Sequence, residues 1–298
     1  MLNHRIDDVF LLPGDEAGRE KMKRRLFEKH GYKDMRVIGR SILSKPIDAL
    51  FIGEGKKYIS VFACHHALES ITTNVAFLLA DALLSYRENR MIKQTNCKLL
   101  LSKYCFVIVP CVNPDGVELR FHGVGNSPLG DRQLRMSEGD FSSWQANGRG
   151  VDLNHNYDKG FSEYKEIERQ RGICAGASLY SGEYPESEPE SRAVANLVRV
   201  LSSYAVVSLH SQGEEIYAYP DVPRVTRCAA RLSSLTGYEL SRAEGTAAYG
   251  GLCDYTGSFG IPSFTYEVGK GKNPLDEREV PRIFARIAES ILLLPTYL

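Results

Sequence analysis

Long apolar runs are missing from this chain. No stretch reaches the length that crosses a bilayer, so no membrane partner is expected. Net charge is missing too: 37 basic residues balance 37 acidic ones, and no basic tract stands out, which argues against a nucleic-acid partner. Cysteine is sparse and odd in number, with 7 in all, and Cys64, Cys105 and Cys111 fall in apolar strand-like runs where a thiol acts as a small hydrophobe. That usage argues against a disulfide framework and points to a reduced, cytoplasmic setting. The residues from Met1 to Asp8 also lack the basic-then-apolar layout of a secretion signal. Internal repeats and low-complexity segments are absent, and Trp144 is the only tryptophan.

What is present is punctuated alternation. Short apolar runs at 35–38, 47–52 and 58–64 read as strands, with 53–57 as a hairpin turn between the last two. Helices are expected over 16–30, with Gly31 as the stop, and over 70–86, where Val75, Leu78, Leu79, Leu83 and Leu84 recur at helical spacing. The run 98–112 reads as one central strand ending in the turn Asn113-Pro-Asp-Gly116. No periodicity is visible from 117 to 149, so a binding loop or lid is expected there. Ser187 and Glu190 have capping-box spacing ahead of a helix through Leu201. A strand over 205–209, a helix over 223–235, a strand over 263–268 and an amphipathic helix over 280–294 follow. Strands alternating with helices imply an α/β domain with a mixed or parallel sheet covered on both faces.

The chemistry gathers at strand ends. Ile59-Ser-Val-Phe-Ala-Cys-His-His-Ala-Leu-Glu69 runs from a buried strand into a helix, and His66 and Glu69, spaced i, i+3, can converge above the strand's carboxyl end. A catalytic zinc takes three protein ligands and keeps one position open. His210, at the end of Ala205-Val-Val-Ser-Leu-His210, is the natural third. Glu267 lies in the apolar run Phe264-Thr-Tyr-Glu-Val, where an unpaired charge is costly to bury and so calls for a reason.

Together with Asn113-Pro-Asp-Gly116 and Gly150-Val-Asp-Leu-Asn-His-Asn-Tyr157, these motifs stand in the order found in the zinc metallocarboxypeptidases typified by carboxypeptidase A, and from about 36 to about 269 the chain resembles that family. The resemblance implies a single α/β domain over 1–298, built on a mixed, twisted sheet of roughly eight strands with helices on both faces. It implies one zinc ion on His66, Glu69 and His210, with the His-x-x-Glu count favouring His66 over His65, and a water whose pKa falls from about 16 to around 7. Asp152 is then the carboxylate that fixes the first histidine's tautomer, and Glu267 the general base.

Two positions depart from the family. Asn154 is present, but His155 stands where an arginine that clamps the substrate carboxylate is expected, and Gln145 where an arginine that steadies the oxyanion is expected. A neutral imidazole cannot make the bidentate clamp. Arg149 is as good a replacement as it is a surface residue. Tyr249, in competition with Tyr255, corresponds to a substrate-closing tyrosine, and Cys253 and Asp254 to the base of the specificity pocket. The text Trp144-Gln-Ala-Asn-Gly-Arg-Gly-Val-Asp-Leu-Asn154 is similar to the bacterial γ-D-glutamyl-L-diamino-acid endopeptidase branch. That likeness implies a muropeptide substrate. A conventional metallocarboxypeptidase acting on C-terminal residues, and a degenerate peptide-binding member, are the alternatives.

Overall fold

In the strands, alternate residues serve two different cores. The computed structural model describes residues 2, 4–88 and 90–298. In chain order its main strands are β1 Met35–Arg40, β2 Pro46–Ile52, β3 Lys57–Ala63, β4 Tyr104–Val109, β5 Ala205–His210, β6 Glu215–Tyr219, β7 Glu239–Leu240 and β8 Ser263–Glu267. They form one mixed sheet in the order β1-β2-β4-β3-β5-β8-β6-β7, with β4, β3, β5 and β8 mutually parallel at its centre. Ile59, Val61, Phe106, Ile108, Val207 and Tyr266 bury on one face; Phe62, Val107, Val109 and Val206 bury on the other. Period-2 side-chain direction thus divides each apolar run between two layers. The single α/β domain with helices on both faces is as expected.

The helices are α1 Glu16–His30, α2 Ile71–Tyr86, α3 Cys97–Lys103, α4 Pro114–His122, α5 Gly130–Ser137, α6 Phe161–Arg171, α7 Pro189–Leu201, α8 Pro223–Thr236, α9 Leu252–Ser258 and α10 Val280–Leu292. Helix α1 stops at Gly31, which takes φ 61° and returns its N–H to Phe27 O, an αL cap. Helix α2 is buried on nearly every side, between the sheet and α1 and α10, which explains why it is apolar all round. Among the described residues no helix is long and apolar enough to cross a membrane.

Four local expectations need correction. Residues 53–57 are no hairpin turn, because β4 lies between β2 and β3. The segment instead passes over the start of β4, and a Cβ on Gly55 would meet the Lys103 carbonyl carbon at 2.0 Å, so only glycine fits there. The run 98–112 splits: Asn96 Oδ1 accepts from Leu99 N–H and caps α3, and the strand begins only at Tyr104. Asn113-Pro-Asp-Gly opens α4 rather than closing a turn, with Asn113 Oδ1 accepting from Gly116 N–H and Pro114 in the first turn. The Ser187/Glu190 capping box does not form, since Glu188 is the N-cap of α7 and makes no capping bond, while Glu190 reaches Ile42 N–H.

The stretch 117–149 is no free loop either. It holds most of α4 and all of α5, and Trp144 is fully buried beside Phe141, Cys64, Cys111 and Val117. Asn113 Nδ2 donates to Ala146 O and Ala67 N–H donates to Gln145 O, pinning its end beside the His66 segment.

The loop that follows carries Asp152 and is held by buried carboxyl groups. Asn147 Nδ2 donates to Glu188 at 2.8 Å and to Glu190 at 3.4 Å, and Ser41 Oγ and Leu43 N–H donate to Asp115. Burial, reinforced by Asp115 and Glu188, pushes the Glu190 carboxyl from its ordinary 4.5 up to about 8. The folded chain therefore keeps a proton that the unfolded chain releases above about pH 4.5, and stability from this group falls as pH rises toward 8. The shift corresponds to about 5 kcal/mol. Thermal unfolding from pH 5 to pH 9 should show the native chain losing stability relative to Glu190→Gln; parallel curves would exclude this role for Glu190.

Candidate active site and metal centre

The carboxyl ends of the central parallel strands deliver the polar groups. β3 ends just before His65 and His66, and a 3-10 turn, Ala67–Glu69, brings the Glu69 carboxylate back under the imidazole. β5 ends on His210. His66 Nδ1 lies 2.9 Å from Glu69 Oε1, His210 Nδ1 lies 3.0 Å from Glu69 Oε2, and the two Nδ1 atoms are 3.3 Å apart. Among the described residues this is the one group of three whose ligand atoms converge as a metal site requires.

Each imidazole has its far nitrogen tied down. His66 Nε2 lies 3.0 Å from Asp152 Oδ1, and His210 Nε2 lies 3.0 Å from Ser208 Oγ. Both Nδ1 atoms are thereby turned to one point. Asp152 is fully buried, and its oxygens also accept from Asn154 N–H, Gln145 Nε2 and Leu179 N–H. Against the cost of burial, His66, His155 and the Leu179 N–H hold its carboxyl well below the usual range. Glu69 behaves alike: burial opposes ionisation, but His66 and His210 bring it down to about 2. His65 points elsewhere, with Nε2 at 2.8 Å from the Tyr157 hydroxyl, and burial drives its pKa well down.

The donor set fits a zinc ion. Bond lengths of about 2.0–2.1 Å in a tetrahedron place donors about 3.3 Å apart, and the three separations here span 2.9 to 3.3 Å. Two nitrogens and one carboxylate match zinc's preferences, and both histidines line a cleft.

Glu267 ends β8 and is the parallel register partner of His210. Burial and the Glu69 carboxylate raise its pKa well above the ordinary value, with Glu215, its antiparallel partner on β6, adding to the effect and His66 opposing it. It lines a cleft of about 190 Å³ with His66, His210, Asn154, Tyr249 and Asp254.

The remaining sequence candidates divide. Gln145 lines the cleft, but its amide is committed to Asp152. His155 also lines it; its Nδ1 hydrogen-bonds the Tyr249 carbonyl at 2.8 Å, and its ring stacks on Tyr164 at 3.9 Å. Burial lowers its pKa, so it is a neutral donor rather than a clamp. Asn154 is fixed by Leu252 N–H on its Oδ1. Cys253 and Asp254 begin α9 on the cleft wall; burial pushes the Cys253 thiol up to about 12 and raises the Asp254 carboxyl. Tyr249 stands 46% exposed at the mouth, whereas Tyr255 is buried, with its hydroxyl on Arg199.

Arg149 must be corrected. Its guanidinium binds buried Glu188 at 3.0 Å and lies outside the cleft. Among the described residues, none lining the cleft is a lysine or an arginine. Sequence reasoning missed Tyr217, Tyr219 and Thr265 on the wall. Their signal was alternation: Tyr217 and Tyr219 follow Glu215 at period 2, and Thr265 precedes Glu267 by two.

The chain belongs to the zinc carboxypeptidase family, whose sequence profile matches residues 28–286. Among curated proteins it is 34% identical over 270 residues to gamma-D-glutamyl-L-diamino acid endopeptidase 1 of Lysinibacillus sphaericus, covering 88% of this chain and 66% of that protein. It is 30% identical over 283 residues to the uncharacterized protein YqgT of Bacillus subtilis (strain 168), covering 91% and 74%. The chain thus spans about two thirds to three quarters of these relatives' lengths. Among solved structures, thrombin activatable fibrinolysis inhibitor superposes with a TM-score of 0.76 at 20% identity, over 98% of this chain and 75% of that one, a likeness of fold.

Proposed function

We propose that this protein is a zinc-dependent peptidase that hydrolyses the amide bond between γ-D-glutamate and a diamino acid in peptidoglycan stem peptides. The observation that carries the reading is the convergence of His66, Glu69 and His210 on one point, with Glu267 next to His210 in the sheet. His66, Glu69 and His210 would hold the ion, which when bound acidifies a water and polarises the scissile carbonyl. Asp152 and Ser208 keep the two imidazoles oriented. Glu267 takes a proton from the attacking water and gives it to the leaving amine, work suited to a carboxylate whose pKa is raised.

Two observations support the substrate class. The relative at 34% identity is a γ-D-glutamyl-L-diamino acid endopeptidase by name. Among the described residues the cleft also offers no lysine or arginine to grip a terminal carboxylate, while it does present Asp254 to an ammonium group. Purified protein loaded with zinc should cleave L-Ala-γ-D-Glu-meso-diaminopimelate and leave hippuryl-type C-terminal substrates largely intact. Cleavage of only the latter would replace the muropeptide reading with that of a conventional metallocarboxypeptidase.

A further inference from the structure

Asn154 and His155 close the 3-10 turn Leu153–His155, and both line the cleft. Each has one polar atom fixed by backbone. Leu252 N–H donates to Asn154 Oδ1 at 3.2 Å, which identifies that atom as the oxygen and leaves the Nδ2 amide as a donor without a protein partner. His155 Nδ1 lies 2.8 Å from the Tyr249 carbonyl. A carbonyl only accepts, so Nδ1 carries the proton; burial keeps the ring neutral, and Nε2 is then a bare lone pair. Stacking on Tyr164, with ring centroids 3.9 Å and planes 9° apart, holds the imidazole in that orientation.

Neither free atom is sealed off. Among the described residues, the ring nitrogens buried without a partner are His65 Nδ1 and Trp144 Nε1. Asn154 Nδ2 and His155 Nε2 have no protein partner but are open, and the space they open on is the cleft. Two consecutive residues thus offer it one donor and one acceptor. A carboxylate brings only acceptors, so it satisfies Nδ2 and sets its charge against the lone pair. An amide brings an oxygen for Nδ2 and an N–H for Nε2. An ammonium group serves Nε2 and leaves Nδ2 unpaired.

The cleft, at about 190 Å³, is small beside the roughly 300–1,000 Å³ of sites for drug-sized ligands, and it takes little more than one residue. Beyond the scissile bond a leaving diamino acid carries two kinds of polar group, the ammonium on its side chain and its main-chain carboxyl. Asp254 suits the first, which leaves Asn154 and His155 for the second. We infer, on the peptidase reading proposed above, that Asn154 and His155 select a leaving residue whose carboxyl is in amide form, as a carboxamide or as the bond to a further residue, over one that ends in a free carboxylate. His155 is in this sense a specificity-determining residue, with its selectivity set by which ring nitrogen the Tyr249 carbonyl engages.

Zinc-loaded native protein is assayed on three forms of L-Ala-γ-D-Glu-meso-diaminopimelate, with the carboxyl on the L-centre free, amidated or extended by D-alanine. The value of kcat/KM should be about tenfold higher for an amide form than for the free acid, the effect of one hydrogen bond made against one left unmade. The arm that carries the gain tells a carboxamide from a continuing chain. His155→Arg, which puts a donor where the lone pair stood, should reverse the order in favour of the acid, whereas a merely structural role would lower all three rates alike. Equal rates on acid and amides, or a preference of the native protein for the acid, would overturn the inference whether or not that variant folds. Hippuryl-lysine, hippuryl-lysinamide and hippuryl-lysyl-D-alanine separate the two readings: if only this series is cut, the muropeptide assignment fails, and the amide-to-acid ratio within it still decides the role of Asn154 and His155. With no peptide cut, the peptidase reading fails, and calorimetric titration with lysinamide and lysine measures the same preference without turnover; lysine bound as tightly as lysinamide, or more tightly, would overturn it.

Discussion

Glu267→Gln is expected to bind zinc with unchanged stoichiometry and to hydrolyse its peptide about 10²–10⁴-fold more slowly. The amide keeps the side chain's size and its place at the end of β8, so the cleft wall is preserved. It cannot accept a proton, so the attacking water and the leaving amine lose their shuttle. The loss should fall on kcat, with KM nearly unchanged, since the group acts on the reacting atoms rather than on substrate binding. Its position makes compensation difficult: the neighbouring carboxylates are Glu69, engaged with both imidazoles, and Glu215, hydrogen-bonded to the Tyr217 hydroxyl. Hydrolysis within a few-fold of native would remove Glu267 from the base's role, and loss of zinc would show it to be structural.

Stripping the metal with a chelator should abolish hydrolysis and lower thermal stability, and stoichiometric zinc should restore both. His66 and Glu69 lie three residues apart at one strand end, but His210 comes from another strand 144 residues from His66, so an ion bound by all three binds the folded chain and not the unfolded one. With free zinc at 1,000 times its Kd, the linkage gives about 4 kcal/mol of added stability. Calorimetry with and without zinc measures this directly. Activity that survives complete chelation would rule out the metal's part in the reaction, and an unchanged unfolding temperature would show that the three side chains do not bind it jointly.

The sequence made some of this legible because the chemistry sits where periodic patterns end. His66 and His210 each close a strand-like run, and Glu267 interrupts one, so residue type and strand position pointed the same way. Legibility failed where a local cap or a distant partner decided the outcome. Asn96 starts a helix inside the apolar run 98–112, a capping effect that periodicity does not register. Arg149 is turned from the cleft by Glu188, 39 residues away, and Gln145 is drawn to Asp152; neither partner is implied by local text. Tyr217 and Thr265 enter the wall because β6 pairs with β8, a fact of sheet order.

The backbone ladder between β5 and β8 has a consequence for how such a cleft can diversify. His210 and Glu267 are neighbours rung for rung, while Thr246, Tyr249 and Asp254 line the cleft from the intervening connection and α9. On the proposed reading, reaction geometry and selectivity are therefore carried by separable parts. Grafting a foreign 243–254 segment onto this scaffold should give an enzyme with altered taste and the same hydrolytic step.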